Sequence, residues 1–276
     1  MESEARVTDH DHESKRESCT APVLSFIIPA YNEHDRIGAS LATAYGQLSK
    51  LPYTFELLVV DDGSDDDTFA SAQSFADEHP AVTVIAIPHA GKAAAVRAGM
   101  RQASGSFLLF SDADLATPLS YVAEFVSRAR RGADVVIASR EGPTAERFGE
   151  PHYRHFMGRV FNRVVQRLLL PGIEDTQCGF KLFTQVSASQ ILDRTLLYTD
   201  TVAQVAGARV TAFDVEMLVI ARRLGMSIDV VPVEWTYGTQ SKVNPLTDTV
   251  MNVRDILRVK LNDLRNMYDD PHRSTA

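Results

Sequence analysis

Asp112-Ala113-Asp114 closes an apolar run, Phe107–Phe110. Carboxylates at i and i+2 on a strand end can diverge, one to each side of a bound ligand. A hard divalent cation takes oxygen ligands and shares them with substrate phosphates, so the pair is a candidate cation site. The same residues also suit a solvated loop with a helix cap. Asp61-Asp62-Gly63-Ser64 ends a second apolar run, Phe55–Val60. One carboxylate there can accept from a nucleobase N–H or a ribose hydroxyl while the other caps the next helix, although Asp-Gly is also an ordinary turn. His89-Ala90-Gly91-Lys92 stands between a strand and a helix. Gly91 permits close backbone approach, Lys92 adds a cation and the helix N-terminus adds its dipole, which together suit a diphosphate. The spacing of a Walker A loop is missing.

These residues need a frame. The runs Val23–Ile28, Phe55–Val60, Val82–Ile87, Phe107–Phe110 and Val135–Ala138 are apolar throughout and predict buried strands. Between them, Glu33–Lys50, Asp66–Glu78 and Lys92–Ala103 read as helices, and Pro118 opens another. The alternation predicts an α/β fold, a mostly parallel central sheet with helices on both faces. Ligands of such sheets bind at the carboxyl ends of the strands. Pro29–Glu33, Asp61–Ser64, Ser111–Asp114 and Ser139-Arg140 all fall there. Beyond residue 140 the expectation is a polar loop at Glu141–Pro151 and a basic amphipathic helix at Arg154–Leu170. A short strand at Gly179–Phe183, a helix at Phe213–Leu224, a strand at Ile228–Trp235 and a last amphipathic helix at Thr247–Tyr268 follow.

Composition narrows the function classes. Of 276 residues, 45% are apolar and 23% charged, enough to bury a full core. No run of about 18 apolar residues predicts a transmembrane helix. Cys19 and Cys178 alone exclude a disulfide framework or a cysteine-rich zinc site. The N-terminus lacks the pattern of a secretory leader, so a cytoplasmic location is expected. A net charge of −8 argues against nucleic-acid binding. Residues 1–20 hold six acids against three bases and read as a disordered acidic tail. Residues 128–170 reverse the balance, with nine arginines against four acids, which suggests an anionic partner at that place.

The ordered series Phe26-Ile27-Ile28-Pro29-Ala30-Tyr31-Asn32-Glu33, Val59-Val60-Asp61-Asp62-Gly63-Ser64, Gly91-Lys92-Ala93-Ala94-Ala95 and Ser111-Asp112-Ala113-Asp114 resembles the family 2 inverting glycosyltransferases. Ala133–Arg140 and Asp175-Thr176-Gln177-Cys178-Gly179-Phe180-Lys181 look like the polyprenyl-phosphate sugar synthases. With Phe213–Glu216 and Ser241-Lys242-Val243, the likeness is greatest to the dolichyl-phosphate β-glucosyltransferases, over about residues 22–260. The resemblance implies a GT-A type nucleotide-diphospho-sugar transferase domain over residues 21–245, with a C-terminal amphipathic helix and tail over 246–276. It implies that Pro29, Tyr31, Glu33 and Asp61 hold the base and ribose, and that Lys92 lies near the base or diphosphate. Asp112 would touch the ribose or a Mg²⁺ or Mn²⁺ ion, and Asp114 would bind that ion. Dolichyl-phosphate mannose synthases follow the second Asp with Leu-Gln. Leu115-Ala116-Thr117 here favours the glucosyl branch and a UDP-sugar over GDP-mannose. The QxxRW motif of processive members is absent.

A lipid monophosphate acceptor is already anionic at neutral pH and needs no strong base. It needs cations that hold it beside the donor. Arg140 and Arg154 are the candidate acceptor-phosphate clamps. Lys242 is a candidate for the leaving diphosphate. Asp175 could assist the metal, orient the sugar or position an arginine. A soluble alcohol acceptor would instead require Asp175, Asp214 or Glu216 as base. A nucleotide-sugar-binding protein without catalysis is the reading from another class. The Arg154–Leu170 and Thr247–Tyr268 helices have interfacial composition and suit peripheral contact with a membrane surface, or else core packing or a homodimer interface.

Overall fold

The computed structural model describes residues 21–149, 152–197, 212–237 and 245–269, with backbone alone for 152–157 and 245–250. Strand β1 (Leu24–Ala30) is buried along its whole length. Helix α1 (His34–Leu48) follows, then β2 (Phe55–Asp61), α2 (Thr68–Glu78), β3 (Val82–Ala86), α3 (Lys92–Gln102) and β4 (Phe107–Ser111). A 3₁₀ turn at Leu119–Tyr121 leads into α4 (Val122–Arg130) and β5 (Val135–Ser139). Then come β6 (Glu146–Phe148), α5 (His152–Leu168), β7 (Phe180–Thr184), α6 (Gln185–Leu192), α7 (Phe213–Arg223), β8 (Ile228–Pro232), β9 (Glu234–Thr236) and α8 (Pro245–Leu264).

The main sheet runs β3-β2-β1-β4-β7-β5-β8. Its strands are parallel except β7, which is antiparallel to both β4 and β5. The sheet is therefore mixed, and the expectation of a mostly parallel sheet holds apart from one reversed strand. Alternate residues of each strand feed two cores. Ile27, Leu58, Phe110, Ile137 and Phe183 face one side, packed under α3, α6 and α7. Phe26, Ile28, Leu57, Leu109, Val136 and Leu182 face the other, under α1, α2 and α4. Ile256 and Val259 of α8 and Val165 of α5 join the first core.

Two local readings change. The stretch expected as a polar loop contains β6, and the strand expected over Ile228–Trp235 divides in two. β8 stays in the main sheet, the chain crosses at buried Val233, and β9 pairs in parallel with β6 as a separate ribbon. Helix α6, unread in the sequence, is capped by Thr184, whose side chain accepts from the Ser187 amide.

The reversal of β7 matters most. Phe180 pairs with Ser111, and Lys181 with Phe110 and Ile137. A strand that runs backwards begins where its parallel neighbours end. The Asp175–Gly179 segment thus enters at the carboxyl edge of β4 and β5, beside Asp112 and Arg140.

Candidate active site

Asp61 ends β2 and is 4% exposed. Its Oδ2 accepts from the Ser64 amide at 3.2 Å, and its buried Oδ1 has no hydrogen-bond partner among the described residues. A buried acceptor left unpaired is costly unless a ligand supplies the donor. Asp62 has another task than the helix cap expected of it. It accepts from the amides of Ala90 and Gly91, both at 2.8 Å, and from His89 Nδ1 at 2.9 Å. These two amides are thus taken by a carboxylate of the protein. Asp62 locks the β3–α3 loop, where Gly91 has φ of 94°.

Tyr31 stacks on His89 with ring centroids 4.0 Å apart. Pro29 lies within β1, one residue before the strand ends beside Asp61. The carboxylate of Glu33 pairs with Arg36 at 2.8 Å, and the Glu33 amide donates to Thr68 Oγ1 at 2.7 Å. Glu33 thus braces the start of α1.

Asp112 follows β4. Its amide donates to Gly179 O at 3.1 Å, and a Cβ on Gly179 would collide with the Cγ and both oxygens of its carboxylate. The glycine is required there because a carboxylate occupies the space. Lys92, at the first turn of α3, forms an ion pair with Asp112 Oδ1. Burial works against the Lys92 charge, but Asp112, Asp214 and Asp114 outweigh it and hold the ammonium above its ordinary value. Asp114 turns outward, and its Oδ1 accepts from the Ala116 amide at 3.1 Å. The intervening Leu115 has φ of 49°, a left-handed conformation uncommon outside glycine. Burial and the neighbouring Asp112 push the Asp114 carboxyl up.

Arg140, one residue past β5, grips Asp175 with a two-pronged fork. Nε meets Oδ2 at 2.7 Å, Nη2 meets Oδ1 at 2.9 Å, and the Arg140 amide adds a third bond to Oδ2 at 2.9 Å. Asp175 is fully buried. Burial alone would raise its pKa, but Arg140 and then Lys181 hold it well below the carboxylate range. The guanidinium of Arg140 also lies over the Trp235 ring, 5.2 Å from its centroid. Of the three roles open to Asp175, the geometry is that of positioning an arginine.

Sequence reasoning gave Lys181 no role. It is fully buried in β7, pairs with Asp214 of α7 at 2.8 Å, and donates to Cys178 O at 2.5 Å. Its signal was visible: a lone ammonium in an otherwise apolar strand must be paired. Glu216, two residues after Asp214, accepts from the amides of Leu196 and Leu197 and from Tyr268 Oη, all near 3.1 Å or shorter. Lys242 lies outside the described residues, as does the side chain of Arg154.

A seam of alternating charge therefore runs along the carboxyl edge: Asp114, Asp112, Lys92, Asp214, Lys181, Asp175 and Arg140. Four carboxylates face three cations, and the excess lies at the Asp112–Asp114 end. That end fits a hard divalent cation, because two carboxylates leave coordination positions for diphosphate oxygens and water. Among the described residues no group of three or more metal-ligating side chains gathers.

The sequence profile of glycosyl transferase family 2 matches residues 25–192. The chain belongs to glycosyltransferase family 2. This glycosyltransferase is 32% identical over 251 residues to a dolichyl-phosphate beta-glucosyltransferase of Drosophila melanogaster, covering 86% of this chain and 74% of that protein. It is 31% identical over 265 residues to the dolichyl-phosphate beta-glucosyltransferase of Homo sapiens, covering 89% and 77%. Among solved structures it shares the fold of glucosyl-3-phosphoglycerate synthase from Mycobacterium tuberculosis, with a TM-score of 0.59 at 18% identity, over 88% of this chain and 80% of that one. No helix among the described residues is long and apolar enough to cross a membrane.

Proposed function

We propose that this glycosyltransferase moves glucose from a UDP-sugar to a polyprenyl, dolichyl-type phosphate with inversion, in a GT-A type domain spanning residues 21–245. The observation that carries the reading is the state of the three carboxylates an alcohol acceptor would need as base. Asp175 is buried on Arg140, Asp214 on Lys181, and Glu216 on two amides and Tyr268. A base committed to such partners is poorly placed to take a proton from a substrate. A phosphate monoester brings its own anionic nucleophile and needs no such base. The relatives named above carry the same activity in their names.

The remaining residues divide the work. Asp61 Oδ1 accepts from the donor's base or ribose, supplying the pairing it lacks. Tyr31, stacked on His89, and Pro29 form the wall against which the base lies. Asp112 and Asp114 hold Mg²⁺ or Mn²⁺, which when bound offsets the charge of the diphosphate. Two of the structural neighbours, the mycobacterial synthase and a mannosyltransferase from Pyrobaculum calidifontis, were solved with Mn²⁺ and a nucleotide or nucleotide sugar. Lys92 orients Asp112 and faces the leaving group. Arg140, held rigid by Asp175 and Trp235, presents its outer edge to the acceptor phosphate, with Arg154 as second clamp and Lys242 on the leaving diphosphate.

The test is a donor screen with radiolabelled sugar nucleotides, with and without a polyprenyl phosphate. The expected result is label in the organic phase from UDP-glucose, dependent on Mn²⁺ or Mg²⁺ and abolished by EDTA. Aqueous product with no lipid requirement would favour the soluble acceptor. GDP-mannose as the better donor would move the chain to the mannosyl branch.

A further inference from the structure

Among the described residues, most of the large apolar side chains that stand exposed lie on two helices that touch each other, α5 and α8. On α5 they are Val160, Val164 and Leu168, at i, i+4 and i+8, so they form one stripe. On α8 they are Val253, Leu257, Leu261 and Leu264, again one stripe. These helices do not lack a core face: Val165, Ile256 and Val259 are buried beneath them. The stripes are additional apolar surface that folding leaves in water, where contiguous patches mark an interaction site.

What borders the stripes decides the partner. Val160, Val164 and Leu168 are each preceded by an exposed arginine, at Arg159, Arg163 and Arg167. On α8, Val253, Leu257 and Leu264 are each followed by one, at Arg254, Arg258 and Arg265. Helix α5 contains no acidic residue. On α8 beyond residue 250, Asp255 is buried and Asp263 is paired with Arg223. In a chain of net charge −8 the apolar ridges described here are flanked by six exposed arginines. A second copy of the same face would bring like charges together, whereas an anionic bilayer meets the arginines with phosphate and the ridges with acyl chain. The location is also apt. Arg159 and Arg163 line a cleft with Glu141 and Glu174, the residues next to Arg140 and Asp175.

We propose that the α5–α8 face is the surface by which this protein docks on an anionic membrane. The inference rests on the lipid-phosphate reading for its purpose, but its test does not depend on transfer. The full chain is sedimented with phosphatidylcholine vesicles and with vesicles that also contain phosphatidylglycerol. Binding is expected only to the latter and should weaken with salt. Each arginine near such a surface is worth about fivefold in partitioning, so Arg163→Gln with Arg258→Gln should lower it about 25-fold. Leu257→Gln with Leu261→Gln should lower it while leaving UDP affinity and thermal stability unchanged. Equal sedimentation of wild type and both double variants would overturn the proposal. So would a dimer in analytical ultracentrifugation that the leucine changes dissociate, since the face would then be covered by a second copy. If vesicle binding fails but detergent-dispersed polyprenyl phosphate is still glucosylated, the docking surface is wrong and the proposed function stands.

Discussion

Asp175→Asn keeps the shape of the side chain and removes its charge. Asp175 is fully buried and accepts three hydrogen bonds from Arg140. Removing one partner of a buried pair leaves the other charge uncompensated, a loss of about 3–5 kcal/mol. In a domain of this size each kcal/mol shifts Tm by about 2–4 °C, so a fall of roughly 6–20 °C is expected at neutral pH. The pH dependence is a sharper check. Burial opposes ionisation, but Arg140 and Lys181 win and depress the carboxyl. A group depressed in the folded state contributes its full stability above its unfolded value, about 3.9, and loses it as pH falls through the folded value. The gap in Tm between wild type and variant should therefore be flat from neutral pH down to about 4 and close only below that. Thermal unfolding followed by circular dichroism across that range reads both quantities. Equal melting at neutral pH would refute the reasoning, and a gap that widened on acidification would reverse its sign.

Glu216 is pushed up to about 7, with burial outweighing the Leu196 and Leu197 amides and Tyr268. Its contribution is complete below the unfolded value near 4.3 and is lost as pH rises through about 7, so Glu216→Gln should flatten the fall of Tm between about pH 4 and 7. An unchanged slope would show that another group titrates there. Gly179→Ala places a Cβ on the Asp112 carboxylate; displacement of about 1 Å can cost about 100-fold, so kcat should fall by that order with the fold retained. Lys181→Met should lower stability by about 3–5 kcal/mol by stranding Asp214, and adding Asp214→Leu should recover most of it. Additive losses in that cycle, measured by denaturant unfolding, would mean the two residues do not act as a pair.

The strands were legible because they are uninterrupted apolar runs, and the candidate site drew notice because polar residues punctuate their ends. Lys92 begins α3, and Phe107–Phe110 runs into Asp112, as the sequence requires. Direction was not legible. Phe180–Thr184 reads as a strand from its residues, but nothing local says that it lies reversed between β4 and β5. The pairing of Glu146–Phe148 with Glu234–Thr236 was hidden for the same reason, since partners so distant in sequence leave no period to read. Asp62 was misread because a carboxylate that takes two loop amides looks, in sequence, like one that caps a helix.

The reversed strand also explains why chemistry and stability meet in one loop. Asp175 to Gly179 supplies the carboxylate that fixes Arg140, the Cys178 carbonyl that accepts from Lys181, and the Gly179 carbonyl that accepts from the Asp112 amide. Gly179 adds the space that the Asp112 side chain fills. Had the strand run parallel to its neighbours, this segment would have entered at the opposite edge of the sheet, far from the ends of β4 and β5. Arg140 would then lack a buried partner, and a long, mobile guanidinium in open solvent holds a phosphate less well than one already fixed. Asp112 would stand on Lys92 alone. The order of the strands thus does more than close the sheet: it brings the proposed acceptor side, anchored by Asp175, and the proposed donor side, anchored by Gly179, to one turn five residues long. Changes within that turn should therefore move both melting temperature and turnover, whereas changes to Asp61 or Asp114, each of which holds one nearby loop amide, should move turnover far more than melting temperature.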